Sequence, residues 1–558
     1  MNAPTTDVAI AQAHTLEPIG DIAAKAGVPD GALIPYGRNM AKVDVSALQS
    51  AGRDHKNGKL ILVTGVSPTP AGEGKSTVLI GLTDALAQQG HNAMVALREP
   101  SLGPVMGIKG GAAGGGYSQV VPMENINLHF TGDFHAITSA NNTLAAMIDN
   151  HIQQGNELGI DARRVTWQRC LDVNDRSLRN VVTGLGGPAS GVPAQTGFTI
   201  TAASEIMAVL GLATDLEDLK ARLARITIGL TFDGNPVTAG DLHAEGAMAA
   251  LLKEALNPNL VQTLGGTPAF IHGGPFANIA HGCNTLIATR TAQQCADIVL
   301  TEAGFGSDLG AEKFFDIKAA YGNLDVAGAV IVATIRSLKY NGGIDKQKLT
   351  DENLEALKAG VVNLERHVEN VRKFGVTPVV ALNLFASDTQ AERDFMREWA
   401  DTFGVALEEA EVWAKGGEGA QKLATTLLDN LTEGTSKTLY DPADGIENAI
   451  ETLVREIYRA DKVQYSVNAQ RDLKTIKDNG WDTLPVCVSK TQYSFSDDPA
   501  ALGAPEGHTL HVRKLIPRTG AGFIVALTGD VMTMPGLPKV PAANNIDVDA
   551  NGTISGLF

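Results

Sequence analysis

The residues best able to do chemistry lie in one run, Thr69-Pro70-Ala71-Gly72-Glu73-Gly74-Lys75-Ser76. Small residues ahead of Gly-Lys-Ser let backbone N–H groups converge on phosphate oxygens. Lys75 can reach the terminal phosphates, and the Ser76 hydroxyl can serve Mg²⁺. The run departs from G-x-x-x-x-G-K-[ST] at its first position, where Thr69 replaces glycine. Its context supplies what the loop needs. Residues 59–65 are apolar and short enough for a buried strand, and residues 77–86 carry helical apolar spacing. A helix starting at the loop adds positive potential where an anion would sit. The reading is a nucleoside triphosphate site formed by Thr69 to Ser76.

Other constellations cluster near it. Arg98-Glu99 closes the next strand-like run, so a guanidinium suited to a carboxylate or an acyl phosphate stands beside the phosphates. The pair can also be read as a local salt bridge. Gly107-Ile108-Lys109-Gly110-Gly111-Ala112-Ala113-Gly114-Gly115-Gly116-Tyr117 is too glycine-rich for a helix or central strand. With Lys109 and Tyr117 flanking it, it reads as a site lining. His129, Asp133 and His135 can form a proton relay or a divalent site, or simply pack. The apolar run ending Thr301-Glu302-Ala303-Gly304-Phe305-Gly306-Ser307-Asp308 resembles the acidic motif that holds Mg²⁺ in phosphate-loop enzymes, with Glu302 and Asp308 as candidates and Phe305 as a substrate contact. Phe385 and Trp413 each adjoin a chain reversal, where a ring can stack a planar heterocycle or join the core.

These residues need a scaffold. Strand-like runs at 60–63, 93–97, 269–272, 298–301 and 326–334 alternate with amphipathic helices, which predicts an α/β fold with a mostly parallel sheet and ligands at strand C-termini. Short helical patterns occupy about the first 55 residues, the clearest at 19–26. Ser139-Ala140-Asn141-Asn142 is expected to cap a helix carrying Leu144, Met147, Ile148 and Ile152 on one face. Residues 345–374 read as a charged helical stretch leading to a strand at 377–383, and proline becomes frequent after Tyr465. At 558 residues the chain exceeds one compact core. The expected division is a phosphate-loop NTPase-like large domain over 1–360, then two smaller α/β domains over 361–460 and 461–558. A formal net charge of -17 argues against non-specific binding to nucleic acid or anionic membranes. Four cysteines without a C-x-x-C pair, no basic and apolar leader, and no apolar run of about 20 residues lead to the expectation of a cytoplasmic protein.

Taken together, the Thr69–Ser76 run, Arg98-Glu99-Pro100-Ser101-Leu102-Gly103-Pro104, the glycine-rich run from Gly107 to Tyr117, Val332-Ala333-Thr334-Ile335-Arg336-Ser337-Leu338-Lys339 and Pro535-Gly536-Leu537-Pro538 resemble the formate–tetrahydrofolate ligase family over nearly the whole chain. That family's loop also begins with Thr. The resemblance implies a two-step reaction: formate attacks the γ-phosphate of MgATP, and N10 of tetrahydrofolate then attacks the formyl phosphate. It implies that Lys75 contacts the nucleotide phosphates, that Arg98, beside Glu99, holds formate and formyl phosphate, and that Phe385 and Trp413 sandwich the pterin. It also implies a homotetramer activated by K⁺ or NH₄⁺. The residue patterns themselves also admit another carboxylate-activating ligase, or a partitioning-type ATPase. Asn383, at a strand end, is open between reading the nucleotide base and lying near folate.

Overall fold

The computed structural model describes residues 6–51, 57–69, 72–108, 113–432, 436–529 and 531–557. Pro70 and Ala71 of the loop, Lys109 to Ala112 of the glycine-rich run and residues 1–5 lie outside the described residues.

Apolar runs build one large mixed sheet with twelve strands among the described residues. In chain order they are β1 (Leu33–Pro35), β2 (Ala41–Val43), β3 (Lys59–Gly65), β4 (Ala93–Leu97), β5 (Gly114–Gly115), β6 (Ser118–Val121), β7 (Asn259–Thr263), β8 (Pro268–Ile271), β9 (Ile298–Glu302), β10 (Val326–Ala333), β11 (Pro378–Asn383) and β12 (Ala406–Ala410). Their spatial order is β1-β2-β7-β8-β4-β9-β3-β10-β11-β12, with β6 joining β7 and β5. From β8 to β12 every neighbouring pair is parallel. Parallel strands need both faces covered, and β3, β4, β9, β10 and β11 are accordingly buried almost throughout. The strand expected at 377–383 and its neighbour β12 extend this same sheet rather than forming a separate one. Further along, Val486–Ser489, Lys514–Arg518 and Phe523–Leu527 make a small sheet of their own.

Helices cover the faces. Those that matter for the site are α1 (Lys75–Gln88), α2 (Asp133–Gln153), α3 (Ile335–Asn341), α4 (Leu354–Lys373), α5 (Gln390–Phe403) and α6 (Val412–Lys415). The helical pattern at 19–26 is realised at Ile19–Lys25. The cap expected at Ser139–Asn142 is corrected: α2 runs unbroken through these residues and starts after Gly132. The amides of Asn141 and Asn142 turn outward instead, donating to the carbonyls of Gln168 and Cys170. They tie the helix to a neighbouring chain segment and leave its own backbone ladder intact.

Candidate active site

The parallel strands point their C-terminal ends to one edge, where backbone groups and loop side chains are not consumed by the sheet. Along that edge the strand order sets the order of side chains. Arg98 follows β4, Glu302 ends β9, the Thr69–Ser76 loop follows β3, Arg336 lies just beyond β10, Phe385 follows β11 and Trp413 follows β12. Polar chemistry thus occupies one half of the edge and aromatic rings the other.

The loop between β3 and α1 is closed on itself. The Thr69 N–H donates to Glu73 Oε1 at 2.6 Å, and the Gly72 N–H donates to the Thr69 carbonyl at 3.1 Å. Glu73 is buried, with its other oxygen 4.0 Å from Lys75 Nζ. Gly74 takes the left-handed conformation at φ 71°, and a Cβ there would lie 2.6 Å from Asn383 Nδ2, so both backbone and space demand glycine. Among the described residues no side chain caps α1. Its first-turn amides face the loop, as an anion site requires. Asn383 donates from Nδ2 to the Glu73 carbonyl at 3.1 Å, so its observed role is to brace the loop from β11.

The acidic partner of the loop is Glu302. Ser76 donates its hydroxyl to Glu302 Oε2 at 2.7 Å, and Arg98 Nε donates to Glu302 Oε1 at 3.2 Å. One fully buried carboxylate therefore orients the loop hydroxyl and the guanidinium together. Arg98 pairs with this distant residue rather than with its neighbour Glu99. The other acidic candidate, Asp308, forms a buried pair with Lys490 at 2.7 Å. Glu99 itself is buried, with Oε2 lacking a partner among the described residues. Burial, then the Asp133 carboxylate, holds its carboxyl well above the usual carboxylate range. Phe305 is half-buried with φ 61°, a strained conformation for an aromatic residue. The adjacent Gly304 leaves room for Arg98, whose Nη1 would lie 2.8 Å from a Cβ at that position.

Support comes from beneath the loop through residues that no motif advertised. Asn363 and His367 of α4 reach Ser67: Asn363 Nδ2 donates to its Oγ at 3.0 Å, and His367 Nε2 lies 3.1 Å from the same oxygen. The other His367 nitrogen is 2.7 Å from Ser307 Oγ, which links the loop after β3 to the loop after β9. Burial holds this imidazole neutral, with its pKa lowered to about 4.

At the aromatic end Trp413 is 49% exposed and Tyr117 43%. The Tyr117 N–H donates to the Trp413 carbonyl at 2.8 Å. Gly116, at φ 57°, is required there, because a Cβ would come within 2.1 Å of that same carbonyl oxygen. The glycine-rich run is thus docked on Trp413. Phe385 follows the adjacent strand β11, where the Leu384 N–H donates to the Ala410 carbonyl. The histidine pair is a separate matter. His129 Nδ1 and His135 Nε2 are 2.9 Å apart in a stacked pair, while Asp133 turns inward to Lys42 at 2.7 Å and Asn259. Among the described residues no group of three or more His, Cys, Asp and Glu side chains could hold a metal ion.

Ser76 and Glu302 offer two hard oxygen donors beside the loop. That set suits Mg²⁺, which keeps several waters and shares phosphate oxygens rather than demanding an all-protein cage. Fold and site together define an α/β protein whose strand–loop–helix unit joins a lysine, an arginine and a buried carboxylate at the carboxyl edge of a parallel sheet. Residues 5–558 match the sequence profile described as formate–tetrahydrofolate ligase. The chain is similar to proteins of that name from Corynebacterium diphtheriae, at 70% identity over 99% of this chain and 100% of the relative. It is also similar to those from Corynebacterium jeikeium, at 67% over 100% and 99%, and Staphylococcus aureus, at 59% over 99% of each. The chain belongs to the formate–tetrahydrofolate ligase family.

Proposed function

We propose that the chain ligates formate to tetrahydrofolate at the expense of ATP, giving 10-formyltetrahydrofolate, ADP and phosphate. A carboxylate is a poor acylating agent because its leaving group is poor. Phosphorylation by ATP supplies a better one, and N10 of tetrahydrofolate then attacks the formyl carbon and expels phosphate. The observation that carries this reading is the buried Glu302 carboxylate, which holds Ser76 of the phosphate loop and the Arg98 guanidinium side by side. A small carboxylate bound to Arg98 would meet the γ-phosphate held by the loop.

In this reading the loop is of the phosphate-loop NTPase kind, and Thr69 to Ser76 cradle ATP. Lys75 neutralises charge on the transferring phosphoryl group. Arg98, with Glu99 behind it, orients formate and then the acyl phosphate. Mg²⁺ would be held near Ser76 and would offset phosphate charge when bound. Tyr117, Phe305, Phe385 and Trp413 line the substrate side, with the pterin stacked between Phe385 and Trp413. Residues 1–360 carry the nucleotide machinery, 361–460 contribute the folate-binding rings Phe385 and Trp413, and 461–558 form a C-terminal unit. K⁺ or NH₄⁺ activation, a homotetramer and a cytoplasmic location belong to the same reading and rest on the family. Among the described residues no helix is long and apolar enough to cross a membrane. Family membership favours this reading over another carboxylate-activating ligase or a partitioning-type ATPase. The test is 10-formyltetrahydrofolate formation with ATP, formate and tetrahydrofolate each omitted in turn. Product is expected only with all three, and product without formate or without folate would overturn the assignment.

A further inference from the structure

Arg336, in the first turn of α3, projects onto the turn that carries Phe385. Its guanidinium carbon lies 4.1 Å from the centroid of the Phe385 ring. Its Nη2 donates to Ser387 Oγ at 3.1 Å, and its Nε is buried with no hydrogen-bond partner among the described residues. The turn is itself locked: the Phe385 N–H donates to Asp388 Oδ2 at 2.8 Å, and the Asp388 N–H donates to the Phe385 carbonyl at 3.0 Å. One helical turn further along α3, Lys339 forms a buried pair with Glu392 of α5 at 2.8 Å. Glu392 also closes the capping box with Thr389 that starts α5. Two residues on one side of α3 therefore clamp the segment between β11 and α5, one through a ring and a hydroxyl, the other through a carboxylate. Thr334 and Ser337 fix the start of α3 with a capping box of their own.

We propose that Arg336 is a positioning residue for the folate. It holds the Phe385 ring in its stacking orientation and occupies one ring face, so that a flat heterocycle can use only the other. This rests on the reading of Phe385 as a pterin contact. A phenylalanine at a strand exit otherwise loses side-chain freedom when a ligand stacks on it, which weakens binding. A planar guanidinium over the ring imposes that order in advance, and a lysine in its place has charge but no plane. The role is separate from the phosphate chemistry, because Arg336 is spent on Phe385 and Ser387, whereas Glu302 engages Arg98 and Ser76.

The test compares wild type with Arg336→Ala, Arg336→Lys, Phe385→Ala and the double variant Arg336→Ala/Phe385→Ala, measuring KM for tetrahydrofolate, ATP and formate, and kcat. Arg336→Ala is expected to raise KM for tetrahydrofolate by about three- to tenfold while KM for ATP and formate and kcat stay near wild type. Arg336→Lys should recover only part of this, and the double variant should be no worse than Phe385→Ala alone, since Arg336 acts through that ring. An effect of Arg336→Ala on ATP or kcat with unchanged folate KM overturns the proposal. So does full additivity in the double variant, which would mean a direct contact with substrate. An unchanged folate KM in Phe385→Ala overturns the pterin reading instead. A raised KM in Phe385→Ala but not in Arg336→Ala overturns the Arg336 role alone. If Arg336→Ala fails to fold, Arg336→Gln and Arg336→Lys answer the same question.

Discussion

Glu302→Gln isolates the charge that organises the site while keeping the side chain's shape. The carboxylate accepts from Ser76 and from Arg98, one donor on each oxygen. A glutamine has one acceptor oxygen, so its amide nitrogen must face one of those two donors. One charge-assisted hydrogen bond is lost, worth about 1.5–3 kcal/mol. The Arg98 side chain is 22% exposed, so water compensates part of its charge, and the cost stays below the roughly 3–5 kcal/mol of breaking a fully buried pair. A stability loss of about 2 kcal/mol is expected by urea unfolding. Turnover should suffer more, because Ser76 and Arg98 lose their common anchor, and a fall of about 10²–10³ in formate-dependent ADP formation is expected. Titration with an ATP analogue without Mg²⁺ should stay near wild type, since the loop amides and Lys75 remain. A folded Glu302→Gln protein with turnover within about threefold of wild type would refute the reasoning.

Three other perturbations bear on the same edge. Lys75→Ala should leave the fold intact and cut turnover by about 10²–10³, measured against circular dichroism and a melt; normal activity would remove Lys75 from the phosphate site. Arg98→Ala should bind an ATP analogue near wild type yet lose formate-dependent ADP formation, and Arg98→Lys should rescue it only partly because the planar fork is gone; poor ATP binding with normal formate use would make Arg98 a nucleotide residue. His367→Gln tests the support beneath the loop through pH. Burial lowers the folded-state pKa of His367 from 6.5 to about 4, so its stabilisation is complete above pH 6.5 and is lost as pH falls toward 4. Unfolding free energies from urea curves of wild type and variant should converge by about 2–3 kcal/mol between pH 7 and pH 4.5, and parallel pH profiles would show that the imidazole is not held neutral.

What was legible in the sequence was local. The strand at 59–65 and the helix after the loop could be read because an apolar run and a helical period flank Gly-Lys-Ser, and Glu302 stood out as an acid ending an apolar strand. Arg98 invited pairing with Glu99, but successive side chains of an extended segment point to opposite sides, and its observed partner is Glu302, 204 positions away. Asn363 and His367 were invisible because their roles depend on how α4 packs under the sheet. Arg336 sat inside a recognised motif, yet its contact with Phe385 needed β10 and β11 to be neighbours. Ser139–Asn142 misled for a related reason: residues that favour caps also serve as mid-helix tethers when another segment offers carbonyls.

The position of β3 has a consequence for how the chain is made. Its two hydrogen-bonding partners, β9 and β10, both come from far downstream, and Ser76 meets Glu302 across a separation of 226 residues. While the chain emerges from the ribosome, the strand that carries the loop waits with both edges bare until β9 has cleared the exit tunnel, and with one edge bare until β10 has followed. Such long-range parallel pairing forms slowly and exposes aggregation-prone edges meanwhile. Nascent chains truncated before Ile298 should therefore engage chaperones and remain open to protease at β3. Chains long enough to free Ala333 from the tunnel should close that window in two steps, as β9 and then β10 arrive, so that competence for phosphate comes late in synthesis although its residues are translated early.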